Sequence, residues 1–330
     1  MPTGKQIITL LKGIAYKQYK AVNSVATEMA EYENEKGHTE LAAQIKSLCN
    51  IITEKNLQSF KALPVDNDSR RNLMELKKYN IPLNKVIVSD ANMQKLNKFF
   101  IEYNNRDLFI PYDIRANHRL LFCGESGCGK TTLAKAIATE LSYEMLYVDL
   151  SAVITSYLGK TSNNLCRLFE TAGEQPCVLF LDEFDALARS RNEKGQDVQE
   201  MKRVVNTLLQ ILDNFDNETI IIAATNLEDT IDKAIFRRFD DVLYFKKPEN
   251  KDIKNTIYLK MQDYKFDLEV LSELDKLTGL TYADIEQICH TSLKHCIINK
   301  IPAVTKDIFT MAIESQKSRN KVAWTRTWYK

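Results

Sequence analysis

Glycine and proline are scarce in this chain, ten and seven in 330 residues, where average usage would give roughly twice as many of each. That scarcity excludes collagen-like, Pro-rich and Gly/Ser-rich linker classes, and no internal repeat or low-complexity tract appears. Charge of one sign is also lacking: 45 Lys and Arg stand against 44 Asp and Glu, a formal net charge of +1. There is no global electrostatic case for nucleic acid or for an anionic membrane. No segment approaches ~18 uninterrupted apolar residues, so neither a signal peptide nor a membrane span is expected. The seven cysteines are odd in number and irregularly spaced, which points to free thiols in a reducing compartment, the cytoplasm. Cys289, His290, His295 and Cys296 suggest a metal site, but Cys289 and Cys296 are two helical turns apart, about 10 Å along the axis, too far to share one zinc. They read as small core residues.

The remainder is ordinary for a globular protein, with 44% apolar and 27% charged residues, and is long enough for one large or two to three small domains. Residues 5–33 place Ile8, Leu11, Ala15, Val22, Val25 and Met29 on one helical face. After a break at 35–39, Leu41, Ile45, Leu48 and Ile52 form a second face. Residues 1–63 therefore read as a helical hairpin, too small to bury much surface alone and suited to a partner. The segment Leu63-Pro64-Val65-Asp66-Asn67-Asp68-Ser69 is polar and holds a proline, so 64–89 reads as a linker.

From about residue 70 to 248, strands and helices alternate. The strand candidates are Leu120–Cys123, Met145–Asp149, Cys177–Leu181, Ile220–Ala224 and Val242–Phe245. Most are continuous apolar runs, as expected for a parallel sheet covered on both faces. The prediction is an α/β doubly wound domain over 90–248, a small α-helical domain over 249–316, and a tail over 317–330.

Three of the ten glycines fall in one short stretch, Gly124-Glu125-Ser126-Gly127-Cys128-Gly129-Lys130-Thr131-Thr132. It fits G-x-x-x-x-G-K-[ST], a loop whose backbone N–H groups cradle phosphates. Lys130 is placed to reach the β- and γ-phosphates, and Thr131 to offer a hydroxyl to Mg²⁺. Before it lies a short apolar run; after it, Leu133, Ile137 and Leu141 have helical spacing, which aims a helix N-terminus at the anion.

About 50 residues on, the apolar run at 177–181 ends in Asp182 and Glu183, the placement expected of a metal-holding carboxylate and a water-polarising base in a phosphate-cradling protein. Asn226 closes another apolar run and is suited to hold a water or a γ-phosphate, although an Asn there is also a common turn former. Arg237 and Arg238 lie adjacent in an apolar segment, suited to a neighbour's γ-phosphate or to a surface ion pair.

In that order, these segments resemble the AAA+ ATPases, specifically the classical AAA branch, over roughly residues 90–295. The resemblance implies a P-loop NTPase sheet domain with ATP and Mg²⁺ as cofactors and a helical domain folded over the nucleotide. It also implies a homo-oligomeric ring, usually hexameric, whose sites are completed by the next subunit's arginines. Lys130 and Thr131 take the Walker A roles and Asp182 and Glu183 the Walker B roles. Asn226 looks like sensor 1, with Arg237 and Arg238 as the finger pair. Gly279–Ile285, with Ala283 at the nucleotide, resembles the closing segment of the small domain. Two departures stand out: the arginines are adjacent where many members separate them by Pro-Gly, and Tyr282 stands where the pattern usually has glycine.

The stretch at 150–160 sits where the resemblance places the central-pore loop. Tyr157-Leu158-Gly159 is similar to the substrate-gripping loops of protein unfoldases, and Trp328-Tyr329-Lys330 resembles a tail by which some ATPase rings dock onto a peptidase chamber. The charged residues 188–203 read as a second pore loop or as a solvated face. The expectation is an ATP hydrolase that remodels or unfolds proteins, with a protease or other effector as partner. The alternatives are a nucleotide-dependent regulatory switch and a nucleic-acid machine, the latter disfavoured by the absence of a basic face.

Overall fold

The chain begins with a helical pair. In the computed structural model, which describes residues 6–7, 10–11, 19–56, 63–64, 72–109, 112, 114–156, 161–189, 196–215, 217–226 and 233–326, α1 (Tyr19–Glu35) and α2 (Thr39–Asn56) pack as a hairpin. Gly37 turns the chain between them at φ 86°, a left-handed conformation that glycine adopts without steric cost. The Glu33 carbonyl accepts from His38 N at 2.9 Å, and the Glu33 carboxylate meets His38 Nδ1 at 2.7 Å. The packed face keeps the expected Val22 and Ile45 but departs from the expectation elsewhere. Val22, Ala26, Ala30 and Ala42 are buried, while Leu41 and Leu48 are exposed. Small alanines let the two helices approach closely, and a pattern read from large apolar residues alone misplaces that seam. Ile8, Ala15 and the side chain of Ile52 lie outside the described residues.

A six-stranded sheet follows, with helices on both faces. Its elements are β1 (Glu75–Lys77), α3 (Asp90–Asn104), β2 (Arg119–Gly124), α4 (Lys130–Glu140), β3 (Met145–Asp149), α5 (Leu150–Ser156) and α6 (Thr161–Ala172). Then come β4 (Val178–Asp182), α7 (Ala186–Arg189), α8 (Gln196–Asn214), β5 (Ile220–Thr225), α9 (Lys233–Phe236) and β6 (Asp241–Phe245). The strand order is β1-β3-β4-β5-β2-β6, parallel throughout except for antiparallel β1 at one edge. The expected α/β parallel sheet is therefore present. β1 is an addition: it falls inside the 64–89 stretch read as a linker and pairs Leu76 with Leu146. Three residues carry too little period to register in a sequence, and such shortness is how sheets blunt an edge.

The strand runs look continuous in sequence because both sheet faces are covered. On one face Leu121, Leu146, Leu179 and Ile221 pack with Leu168 of α6 and Leu208 of α8. On the other, Phe122, Phe180 and Ile222 pack with Phe99 of α3 and Ile137 of α4. Fully buried Phe122 and Phe180 each contribute roughly 1.5–3 kcal/mol over exposure.

Four helices close the described fold: α10 (Asn250–Met261), α11 (Leu274–Leu277), α12 (Tyr282–Ile298) and α13 (Lys306–Arg326). Capping boxes start two of them, Glu249 with Asp252 and Thr281 with Asp284, each satisfying orphan N–H groups of a first turn. Cys289 and Cys296 are core residues of this bundle, as their spacing implied. Residues 317–326, read as tail, instead continue α13. Gln316 and Asn320 donate to Asp284 Oδ1 at 2.8 and 3.1 Å, fastening the extra turns to the start of α12. No helix among the described residues is long and apolar enough to cross a membrane.

Candidate active site

The glycine loop runs from the end of β2 into α4, and each glycine there has its own reason. Gly124, at φ 149°, lies so close to β6 that a Cβ would meet the Phe245 carbonyl oxygen at 2.1 Å. Gly127, at φ 77°, faces the helical bundle, where a Cβ would meet Thr281 Oγ1 at 2.9 Å. Gly129, at φ 95°, is the left-handed N-cap of α4. The loop thus winds tightly and ends on a helix N-terminus, whose free N–H groups favour an anion. A side chain at any of these glycines would strain or fill the cradle, so the backbone fits a phosphate chain.

Lys130 is buried at the first turn of α4. Its ammonium donates to the Gly124 and Glu125 carbonyls at 2.6 and 2.9 Å, and to Asn226 Oδ1 at 2.8 Å. Burial pulls its pKa below the usual lysine value, partly offset by Asp182 and Asp185. The glycine loop and the end of β5 are therefore joined through one side chain. Thr131 and Thr132 follow on α4, partly buried and exposed respectively, and Cys128 is buried with its thiol pKa raised by desolvation. Glu125 is exposed and pairs with Lys247 at 2.8 Å, while Ser126 is exposed.

Asp182 closes β4. Its Oδ1 accepts from Glu183 N at 2.9 Å and its Oδ2 from the Tyr147 hydroxyl at 3.0 Å. Glu183 is exposed and sits at φ 50°, a left-handed conformation uncommon outside glycine, of the kind that clusters at functional sites. One residue on, Phe184 N donates to the Ala224 carbonyl at 2.9 Å, tying the ends of β4 and β5. Buried Asp185 then accepts from Asn226 N at 3.3 Å and Thr225 Oγ1 at 3.5 Å. Asn226 is thus fixed from both sides, by Asp185 at its backbone and Lys130 at its side chain.

The helical bundle reaches this place too. Ala283 N donates to the Gly127 carbonyl at 3.1 Å, so the first turn of α12 lies directly on the phosphate loop. Tyr282, in the position usually held by glycine, has its pKa raised by burial and by a hydrogen bond to Asp252, which ties α12 to α10.

Arg237 and Arg238 are elsewhere. Asp240, two residues on, accepts from the backbone N–H groups of His118 and Arg119 at 2.9 Å each. That anchors the arginine segment at the start of β2, whereas the glycine loop leaves its end. The Arg238 guanidinium is bidentate to Asp213, at 3.0 and 3.1 Å, and also donates to the Ala234 carbonyl at 2.9 Å. The exposed Arg237 side chain has no partner among the described residues.

Sequence reading missed Tyr147 and Asp185. Asp185 carried a faint signal as the third carboxylate in Asp182-Glu183-Phe184-Asp185; Tyr147 carried none. Tyr157 and Leu158 lie outside the described residues, as do 190–195 of the charged stretch and Trp328–Lys330.

An anion cradle, a buried ammonium and the nearby Asp182 carboxylate suit a nucleotide phosphate chain with a hard divalent cation. Comparison with known proteins agrees. Residues 120–247 match the model of the "ATPase family associated with various cellular activities (AAA)". The chain is similar to an "Uncharacterized AAA family ATPase" of Sinorhizobium fredii, 33% identical over 309 residues, covering 92% of this chain and 93% of that one. It is also similar to the proteasome-activating nucleotidase of Methanocaldococcus jannaschii, 29% identical over 84% of this chain and 66% of that protein. A third relative is the peroxisomal ATPase PEX6 of Saccharomyces cerevisiae, 33% identical over 64% of this chain but only 21% of the yeast protein. A glycine cradle at 124–132, paired carboxylates at the end of β4 and a likeness running nearly the full length of the Sinorhizobium protein place this chain in the AAA family of ATPases, as an ATP hydrolase.

Proposed function

We propose that the chain hydrolyses ATP with Mg²⁺ at sites shared between neighbouring copies in a ring, and that it uses the cycle to remodel or unfold protein substrates. The carrying observation is the separation of its two charged ends. The arginine segment is tied to Arg119 and the glycine loop begins at Gly124, five strand steps apart, or roughly 17 Å. A guanidinium so placed falls short of its own chain's phosphates, yet it is exposed for a neighbour's. Hexameric closure is in keeping with such a head-to-tail contact.

Bound nucleotide supplies the phosphoanhydride to be broken; the chain supplies geometry and charge. The loop from Gly124 to Gly129 and the Lys130 ammonium bind the phosphates, with Thr132 and Ala283 bordering the pocket. Thr131 and Asp182 would hold Mg²⁺. Glu183 accepts the proton of the attacking water, and Asn226 orients that water or the γ-phosphate. Arg237 of one copy neutralises charge developing in the site of the next, while Arg238, engaged by Asp213, holds the segment in place.

The substrate class rests on the Tyr157-Leu158-Gly159 sequence and on likeness to a proteasome-activating nucleotidase, which also keeps a peptidase or other effector partner in view. The six cysteines whose side chains are described are free thiols, in keeping with the cytoplasm. Tyr157→Ala is the test. ATP turnover should persist while processing of an unfolded model protein stops; undiminished processing would reject threading in favour of a nucleotide switch.

A further inference from the structure

Tyr147 has no part in the reading above, yet its hydroxyl donates to Asp182 Oδ2 at 3.0 Å. Its position explains the reach. In the β3–β4 ladder Tyr147 lies opposite Phe180 and Asp149 opposite Asp182, so Tyr147 and Asp182 are diagonal neighbours on one sheet face. That diagonal, roughly 7–8 Å, is spanned by long aromatic side chains and by few others. The ring is held along its length, with its centroid 5.8 Å from that of Phe180 at 32°. On the other flank β1 pairs Glu75 with Tyr147, and the Lys77 ammonium lies 5.8 Å from the ring centroid. The phenol is therefore presented to the carboxylate by three adjacent strands.

The consequence concerns Asp182. With Oδ1 held by Glu183 N at 2.9 Å and Oδ2 by Tyr147, the carboxylate cannot rotate about its last bond without breaking a contact. The donor is neutral, so it orients the group without cancelling the charge a cation needs; a lysine in its place would compete with the metal. Mg²⁺ tolerates little departure from octahedral geometry, and partners that fix a ligating carboxylate govern metal affinity strongly.

We infer that Tyr147 is a positioning residue for Mg²⁺ binding through Asp182, an inference that rests on the Mg²⁺-dependent ATP reading of this site. The test is Tyr147→Phe, which keeps the ring between Phe180 and Lys77 and removes only the hydroxyl. Binding of a fluorescent, non-hydrolysable ATP analogue is titrated with MgCl₂ for both proteins and repeated in EDTA, with thermal melting in EDTA as a check on the fold. The expected result is a rise in half-saturating Mg²⁺ on the order of ten-fold, with EDTA binding and melting unchanged. An identical Mg²⁺ midpoint overturns the inference. So does an equal loss of affinity with and without Mg²⁺, which marks a packing role. A wild-type protein whose nucleotide binding ignores Mg²⁺ overturns the underlying metal reading as well, and is distinguished by appearing before any substitution.

Discussion

The arginine segment is anchored at Arg119, roughly 17 Å along β2 from Gly124, and the shared-site reading this supports makes a quantitative prediction for mixed assemblies. Lys130→Ala removes the ammonium proposed to bind phosphate but leaves Arg237 intact. Arg237→Ala leaves the cradle intact and removes the cation offered to the neighbour. Alone, the first should be inactive, and the second should retain about a thousandth of wild-type turnover, by analogy with other arginine fingers. Mixed one to one under exchanging conditions, a site is live only where an intact cradle meets an intact arginine. In a head-to-tail ring that happens at about one interface in four, so phosphate release per chain should recover to about a quarter of wild type. A mixture no more active than the mean of its parents would refute the shared site. The same assay separates the two arginines. Arg238 is bidentate to Asp213, so Asp213→Ala should reproduce the effect of Arg238→Ala.

Two further substitutions probe the contact between the phosphate loop and the helical bundle. Both Gly127→Ala and Gly129→Ala incur the cost of a left-handed backbone, about 1–2 kcal/mol. Only the former also brings a Cβ to 2.9 Å from Thr281 Oγ1 and 3.2 Å from the Ala283 Cβ, whereas Gly129 has nothing within 4 Å. Gly127→Ala should therefore be the less stable in urea denaturation, and equal midpoints would disprove the packing argument. Asp284 gives a pH prediction. Burial pushes its pKa up, but hydrogen bonds from Thr281, Asn320 and Gln316 outweigh it, leaving the value below the usual 3.8. Its contribution is thus complete above pH 3.8 and is lost as pH falls through the depressed folded value. Asp284→Asn should lower bundle stability at neutral pH and flatten the acid limb below 3.8, read by circular dichroism; an unchanged acid limb would count against it.

What was readable in the sequence follows from how far each interaction reaches along the chain. Strands announced themselves most clearly where burial on both faces turns alternation into continuous apolar runs, as at Ile220–Thr225. The glycine cradle and the Asp182-Glu183 pair were readable because each chemistry occupies a few consecutive residues. Features set by pairing between distant segments were silent. Tyr147 meets Asp182 only because β3 lies beside β4 in one register, and Arg238 meets Asp213 across 25 residues. The hairpin seam was legible at Val22 and Ile45 but not at Ala26, Ala30 and Ala42, which are buried for their smallness and which a search for large apolar faces weights least.

The same distinction bears on how the site operates. Lys130 joins the glycine loop to Asn226, Asp185 holds Asn226 from behind, and Ala283 joins the same loop to the helical bundle. The Ala283 link is a single neutral hydrogen bond, worth about 0.5–1.5 kcal/mol net, and those of Lys130 and Asp185 are a few bonds to charged groups, about 1.5–3 kcal/mol each. The sheet beneath them is secured by continuous ladders and two apolar cores. Rearranging the links around phosphate is therefore cheap, and rearranging the strands is not. Motion that starts at Gly127 should pass to α12 through Ala283 rather than into β2, while Asp240 keeps the arginines registered to the start of that strand. If the arginine is lent as proposed, a rigid strand with the phosphate loop at one end and its own arginine segment at the other would let one copy's bundle move without displacing that arginine.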